Sequence, residues 1–255
     1  MASGNAMGAV KKMNEAFKID PKLKPSDDEQ DRSLAGVVQA SLMQGRPADA
    51  EKMLKTAWER KLAQVGSEDS FQMMTLTETW VMYYKMVEKW EDMATWSRKA
   101  LNLAKTHKGP KSGEYATCLS NHGLAIAPLG RHEEAEESFK EALKLNETLR
   151  GKKSREVAQT YHNMALLYRN TDRFAEAERC YVRARDLWTQ LQMWAQYVVT
   201  TRDSAISFAA AGDHPRSVEM LEECLVAARK MPPEIEEKVV ADMQLKQLLQ
   251  AEQRE

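Results

Sequence analysis

The chain has few of the residues that build disulfide frameworks, membrane spans and β-sheets. Its three cysteines, Cys118, Cys180 and Cys224, are isolated. Neither a disulfide framework nor a zinc finger is therefore expected, and a reducing compartment such as the cytoplasm is predicted, with import into an organelle as the alternative. No stretch reaches the roughly 18–20 apolar residues of a membrane span. Isoleucine occurs only four times and strong helix formers dominate, which predicts an all-α protein.

Charge and motifs exclude further functions. The 37 basic and 38 acidic side chains give a net charge of −1, which argues against a dedicated nucleic-acid binder, since that would need a net basic surface. The five histidines form no metal-binding spacing. Gly151–Ser154 resembles part of a phosphate-binding loop but lacks the earlier glycine that such a loop needs. We therefore expect a protein that is not an enzyme and that holds no cofactor and no metal.

An internal repeat of about 42 residues dominates the sequence. Five turn segments begin 43, 42, 42 and 40 residues apart, at Gly45, Glu88, Gly130, Asp172 and Gly212. Each turn is predicted to join two helices into a hairpin, and hairpins must stack to bury their apolar faces. Mostly small residues recur at three offsets from the turns, namely Val38, Val81, Gly123, Ala165 and Ala205 before them, Ala50, Met93, Ala135, Ala177 and Ser217 after them, and further on Ala57, Ala100, Ala142, Ala184 and Leu225.

This alternation of small and large residues resembles the tetratricopeptide repeat (TPR), and its period of about 42 rather than 34 residues resembles the kinesin-light-chain type. The clearest copy runs over residues 147–178. The resemblance implies a right-handed α-solenoid of about five hairpins, which we place at residues 31–232. Residues 1–30 are expected to form one short helix and a polar linker. Residues 233–255 are expected to form a capping helix, or alternatively a helix that binds a partner.

The resemblance also implies that the first helices of the hairpins line a concave groove that binds protein or peptide partners. An asparagine amide both donates and accepts hydrogen bonds, so Asn121 and Asn163, 42 residues apart, could hold an extended peptide backbone. Basic residues on the same face would attract acidic partners. The alternative is that these side chains only solvate a free face. The predicted groove residues are Lys85, Asn121, Leu124, His162, Asn163, Leu166, Arg169 and Arg202.

Two loops between repeats are rich in basic residues. They lie about one period apart, so stacking is predicted to bring them side by side into a basic edge that recruits an acidic partner. The alternative is again a solvated edge, partly neutralised by acidic residues of the flanking helices. The residues of the predicted basic edge are Lys105, Lys108, Lys111, Arg150, Lys152, Lys153 and Arg155.

Tryptophan is frequent for so polar a chain, with six copies. Trp58 is predicted to lie in the core. Trp188 and Trp194 fall at the junction of the fourth and fifth repeats, where the glycine of the other junctions is missing. They are expected to pack this irregular junction or, if exposed, to anchor a partner.

Two functions fit these patterns. The first is a non-catalytic protein–protein interaction module that binds a peptide or a partner subunit through the concave groove. The alternative is a permanently assembled structural or scaffold subunit of a larger complex, which would use its convex surface and the basic edge. In either case we expect a protein partner, no nucleic acid and no membrane span.

Overall fold

The computed structural model describes residues 27–228, and within them it contains ten α-helices and no strand. The short N-terminal helix and the capping helix predicted at the two ends lie outside the described residues. Two 3₁₀ turns, Phe71–Met73 and Ala127–Leu129, accompany the helices. The helices are α1 Asp27–Met43, α2 Pro47–Val65, α3 Met74–Met86, α4 Trp90–His107, α5 Gly113–Ile126, α6 His132–Arg150, α7 Arg155–Asn170, α8 Phe174–Gln190, α9 Trp194–Ala210 and α10 His214–Ala228.

Consecutive helices pair into five hairpins, and the described residues divide into two compact units, 27–110 and 111–228. The first unit contains the hairpins α1/α2 and α3/α4, and α3 packs against both helices of the first hairpin. The second unit contains α5/α6, α7/α8 and α9/α10. In it the first helices of successive hairpins also contact one another, so α5, α7 and α9 form one layer. The chain is thus an all-α solenoid.

The five hairpin turns share one backbone conformation, which confirms the predicted repeat register. Gly45, Gly130 and Gly212 have φ between 71° and 78°, and Glu88 and Asp172 adopt 57° without the freedom of glycine. In each turn the following residue donates its N–H to a carbonyl five positions earlier, as from Arg173 to Tyr168 at 2.8 Å. This is the Schellman helix ending, in which a left-handed residue lets the chain reverse and satisfies the last free carbonyls.

The small residues lie where the helices of a hairpin approach most closely. Ala135 and Ala177 are fully buried, as predicted. At Gly123 a Cβ atom would come within 2.8 Å of the Phe139 ring, so no larger residue fits there without displacing that ring.

One assignment at the end of the repeat register was wrong. In the fifth hairpin Cys224 is fully buried, whereas the predicted Leu225 is only partly buried. Ser217 keeps the usual distance from the turn and is buried, so a further seven residues along the helix lead to Cys224. The shortened period of this repeat is therefore taken up before the turn rather than after it.

Serine caps the helices that open the third and fourth hairpins but not the helix that opens the fifth. The hydroxyls of Ser112 and Ser154 accept hydrogen bonds from backbone N–H groups at the starts of α5 and α7. Such caps satisfy helix donors that have no partner within the helix. α9 instead begins after Met193 with no side-chain cap, and Gln192 takes a left-handed φ of 56°. This irregular junction adjoins a pocket lined in part by Trp188, Ala195 and Gln196.

Candidate functional site

The predicted groove residues of the second unit lie on its layer of first helices. Leu124, Leu166 and Ile206 stand six residues before the turns of successive hairpins and are all partly buried. Equivalent positions on contacting parallel helices form a row, so these three side chains make an apolar stripe across α5, α7 and α9. Arg169 and Arg202, also partly buried, add positive charge to the same helices.

The two predicted peptide-binding asparagines differ in accessibility. Asn163 is only 4% exposed, and its Oδ1 accepts a hydrogen bond from Gln159 Nε2 at 3.0 Å. Asn121 on α5 is partly buried. The amide of Asn163 therefore supports the groove surface from below, while Asn121 and Gln159 have more surface in contact with solvent.

Lys85 lies in the first unit, on α3, and is exposed. The protein around its ammonium group removes part of the surrounding water, and this desolvation lowers the pKa of Lys85 below its ordinary value.

A buried hydrogen-bond network fixes the predicted groove residue His162. Thr200 Oγ1 donates to the Gln196 carbonyl at 2.8 Å and accepts from Trp188 Nε1 at 3.1 Å. Because the hydroxyl has only one proton, the contact of 3.1 Å with His162 Nδ1 requires the ring to donate from that nitrogen. The other ring nitrogen, Nε2, lies 3.5 Å from Asp203 Oδ2. The network thus joins α7, α8 and α9.

Thr200, His162 and Asp203 have the composition of a hydrolytic triad but not its properties. Thr200 is 1% exposed, and its proton is committed to a backbone carbonyl. A nucleophile must instead give its proton to the base and reach the substrate. The grouping therefore holds helices together. Nor do residues 27–228 contain a cluster of histidine, cysteine or acidic side chains that could hold a metal ion.

The charge of Arg202 is partly compensated within the site. Its guanidinium donates from Nε and Nη2 to Asp203 Oδ1 at 3.2 and 3.1 Å. Asp203 thereby contacts both Arg202 and His162. Arg169 donates from Nε to the side-chain oxygen of the neighbouring Asn170 at 3.4 Å, so its guanidinium is held near the end of α7.

A pocket of about 180 Å³ opens beside this network between α7 and α9. Val199, 40% exposed, contributes an apolar wall. Gln159 and Val199 are not among the predicted groove residues, although both stand thirteen residues before a turn. The repeat register could therefore have found them. The pocket is lined by Gln159, His162, Trp188, Ala195, Gln196, Val199 and Thr200.

The two tryptophans of the irregular junction have different environments. Trp188 is buried and donates to Thr200, which confirms packing for this residue. Trp194 is partly exposed and meets the Tyr197 ring edge on, with centroids 6.0 Å apart.

All seven residues of the predicted basic edge are exposed. Lys105 and Lys108 belong to the first unit, where the ammonium of Lys108 lies 4.5 Å from the centre of the Phe71 ring. Lys111 and the remaining four belong to the second unit, and Arg150 there forms an ion pair with Glu156. The alignment of the two loops stays a prediction.

The helix hairpins, their left-handed turns and the small residues at their crossings define a helical-repeat protein of the α-solenoid class. Two family models, both described as tetratricopeptide repeat, match residues 116–149 and 156–230. Residues 116–149 and 156–230 therefore consist of tetratricopeptide repeats. No curated protein matches it in sequence. No helix among residues 27–228 is long and apolar enough to cross a bilayer.

Solved structures share the fold at low sequence identity. BtubC (BKLC) from P. vanneervenii is 19% identical with a TM-score of 0.70, over 91% of this chain and 92% of that one. A kinesin light chain of Podosopora anserina with nearly identical TPR-like repeats is 13% identical with a TM-score of 0.62, over 81% and 98%. Aspartyl phosphate phosphatase F from Bacillus subtilis is 16% identical with a TM-score of 0.67, over 93% and 62%.

Proposed function

We propose that the chain is a non-catalytic protein-interaction module that binds a linear peptide, or an extended segment of a partner subunit, along α5, α7 and α9. The observation that carries this proposal is the partly buried stripe of Leu124, Leu166 and Ile206, together with the pocket beside Val199 between α7 and α9. Exposed apolar side chains in a concave pocket with a few fixed polar groups are typical of ligand sites.

The polar groups around the stripe suit an extended peptide. The side chains of Asn121 and Gln159 can both donate to and accept from a peptide backbone. The guanidinium of Arg169 would attract an acidic residue of the peptide. Because His162 and Trp188 are fixed by Thr200, the pocket wall is ordered before binding, which lowers the entropic cost of association.

The groove is tested by peptides selected on the wild-type protein from a random library displayed on phage. Val199→Asp places a carboxylate in the pocket and should weaken the selected peptides by about tenfold or more, because an apolar anchor would bury that charge. Val226→Asp is the matched control, since Val226 is 54% exposed on α10, away from the pocket lining. Peptides that bind both variants as tightly as wild type would exclude the groove.

A permanently assembled subunit is the second candidate function, and the exposure of the predicted basic edge favours it. Complexes are captured from native extract with wild type and with the triple variant Lys108→Glu, Lys152→Glu and Lys153→Glu. Binding through the edge should decrease steeply with salt, since exposed charges are screened beyond about 8 Å at physiological ionic strength, and should be lost in the variant. A complex retained equally by the variant at low and high salt would show that the edge is only solvated.

A further inference from the structure

A pocket of about 370 Å³ in the first unit is walled largely by aromatic rings. α2 contributes Trp58, α3 contributes Trp80 and Tyr84, and α4 contributes Trp96. The Trp80 ring stacks on those of Trp96 and Tyr84, with centroids 5.2 and 5.3 Å apart, and Trp58 meets Trp96 edge on at 4.7 Å. Three helices thus hold four rings in one continuous aromatic surface.

This surface is accessible rather than part of the core. Trp58, predicted to be a core residue, is only partly buried, as is Trp96, whereas Trp80 behind them is 3% exposed. The indole N–H of Trp80 is buried without a hydrogen-bond partner among the described residues. The partly buried Trp96 ring is therefore supported by the buried Trp80 ring on which it stacks.

The protein places one of its own cations on these rings. The ammonium nitrogen of Lys99 lies 4.6 Å from the centre of the Trp58 ring and 5.4 Å from that of Trp96, and it forms an ion pair with Glu68. The face of an indole ring carries negative potential, so it attracts a cation within about 6 Å. Lys99 therefore marks a position at which the pocket stabilises positive charge.

Carboxylates complete the cation site. Glu68 and Glu59 both line the pocket. The other basic residue of the lining, Lys55, forms an ion pair with Glu51 at 2.7 Å. A cation that replaced Lys99 would therefore contact the rings of Trp58 and Trp96 and could form an ion pair with Glu68.

We propose that this aromatic pocket binds an arginine side chain of a partner polypeptide, which displaces Lys99 from the faces of Trp58 and Trp96 and pairs with Glu68. A lysine from the partner would only exchange one ammonium group for another. The guanidinium of arginine is planar, stacks over a larger area of the rings and donates two parallel hydrogen bonds to a carboxylate. An apolar side chain would leave the acidic part of the lining without a partner.

The proposal is independent of the groove. None of the residues of the aromatic pocket belongs to the predicted groove or to the predicted basic edge, and all of them lie in the first unit. Loss of peptide binding along α5, α7 and α9 would leave it unaffected.

The test uses the full chain and a blocked pentapeptide, Ser-Gly-Arg-Gly-Ser, with citrulline, lysine or leucine replacing arginine in three control peptides. Binding is followed through the NMR signals of the indole N–H groups of Trp58 and Trp96, assigned with Trp58→Phe and Trp96→Phe. The arginine peptide should shift both signals and bind about tenfold more tightly than the citrulline peptide, which has nearly the same shape without the charge. Equal binding of the citrulline or leucine peptide would overturn the proposal.

Two charge variants separate displacement of Lys99 from a general electrostatic effect. Lys99→Met removes the competing ammonium and should tighten binding of the arginine peptide several-fold. Lys55→Met removes the same charge from the lining without vacating the rings, so it should have a smaller effect. Thermal unfolding and far-UV circular dichroism establish that both variants are folded. Equal tightening in the two variants, or none in folded Lys99→Met, would show that Lys99 does not occupy the binding position.

Discussion

The second and fourth hairpins have the same turn but fill the helix crossing with different side chains. In the fourth, Ala177 and Tyr181 stand five and nine residues after the turn residue, whereas in the second these positions hold Met93 and Ser97. All four residues are buried. The backbone arrangement therefore does not depend on one fixed choice of small and large residues.

The second hairpin compensates for its small Ser97 with aromatic side chains elsewhere. Trp80 and Tyr83 on α3 are buried and pack with the partly buried Trp96 of α4. The Ser97 hydroxyl donates to the Ala94 carbonyl at 3.0 Å, which satisfies it inside the core. The repeats share a filled volume between the two helices of a hairpin. The bulky side chains that fill it can come from either helix.

The largest effect on stability is expected when Tyr181 of the fourth hairpin is replaced by serine, the residue that the second hairpin has at the equivalent position, Ser97. Tyr181→Ser should lower the free energy of unfolding by about 3–5 kcal/mol, because it removes a fully buried ring, which the His162 ring meets edge on with centroids 6.2 Å apart, and leaves a cavity. Chemical denaturation with urea measures this loss.

A matched variant separates the ring from the hydroxyl. The Tyr181 hydroxyl is buried with no hydrogen-bond partner among residues 27–228, and burial raises the pKa of Tyr181 well above its ordinary value. Tyr181→Phe should therefore be neutral or stabilising. If Tyr181→Ser costs no more than Tyr181→Phe, aromatic volume at this position is not required.

A second, smaller effect concerns the position nearest the helix crossing. Ala177→Leu should destabilise the protein by roughly 1–3 kcal/mol because the added atoms overpack a fully buried site. Met93→Leu is the control at the equivalent position, and it conserves volume, so it should cost less than about 1.5 kcal/mol. A thermal melt of Ala177→Leu that coincides with wild type would contradict the assigned register.

The sequence predicted the fold well because mostly small residues recur at the same distances from the turns in successive repeats. Ala135, Ala177 and the turn residues were assigned from spacing alone. Cys224 stands twelve residues after its turn, as Ala142 and Ala184 do after theirs, so the repeat register gives this position, and Leu225 lies one residue beyond it. Burial agrees with this count, since Cys224 is fully buried and Leu225 only partly.

The candidate site was predicted less completely, for a reason that Thr200 illustrates. Its hydroxyl joins His162 and Trp188 across 38 and 12 residues, and such contacts depend on how three helices meet. The aromatic pocket was missed because Trp58 stands at a position occupied by leucine in other repeats, which suggests core. A single-residue pattern cannot show that neighbouring rings hold an indole at the surface.

The third prediction concerns the pH dependence of stability. It compares Glu136, which hydrogen-bonds to the fourth hairpin, with Glu51, which hydrogen-bonds to the second. Burial alone would raise the pKa of Glu136, but hydrogen bonds from Arg173, Lys140 and Tyr168 outweigh it and lower that pKa to about 2. The folded state therefore gains stability from this carboxylate above its ordinary pKa of 4.5, and the gain is lost as the pH falls from there towards 2. Because Arg173 is partly exposed and solvent screens the pair, we expect about 1–2 kcal/mol.

The equivalent group for the second hairpin is Glu51, whose pKa is lowered mainly by its hydrogen bond with Lys55. Urea unfolding between pH 2 and 5 should show a shallower loss of stability in Glu136→Gln than in wild type. Glu51→Gln should change the profile less, because Lys55 is more exposed than Arg173. Profiles that change equally in the two variants would exclude a special role for the contact between Glu136 and Arg173.

The smallest effect is expected at the turns, where both hairpins hold a left-handed residue that is not glycine. Glu88 and Asp172 both have φ of 57°. The left-handed conformation costs most residues about 1–2 kcal/mol, but aspartate tolerates it better. Replacement by glycine removes this strain and adds an entropic cost of about 0.5–1 kcal/mol. Glu88→Gly should therefore raise the free energy of unfolding by roughly 0.5–1 kcal/mol, and Asp172→Gly should leave it nearly unchanged. Urea unfolding of both variants decides the point, and a larger gain from Asp172→Gly would contradict it.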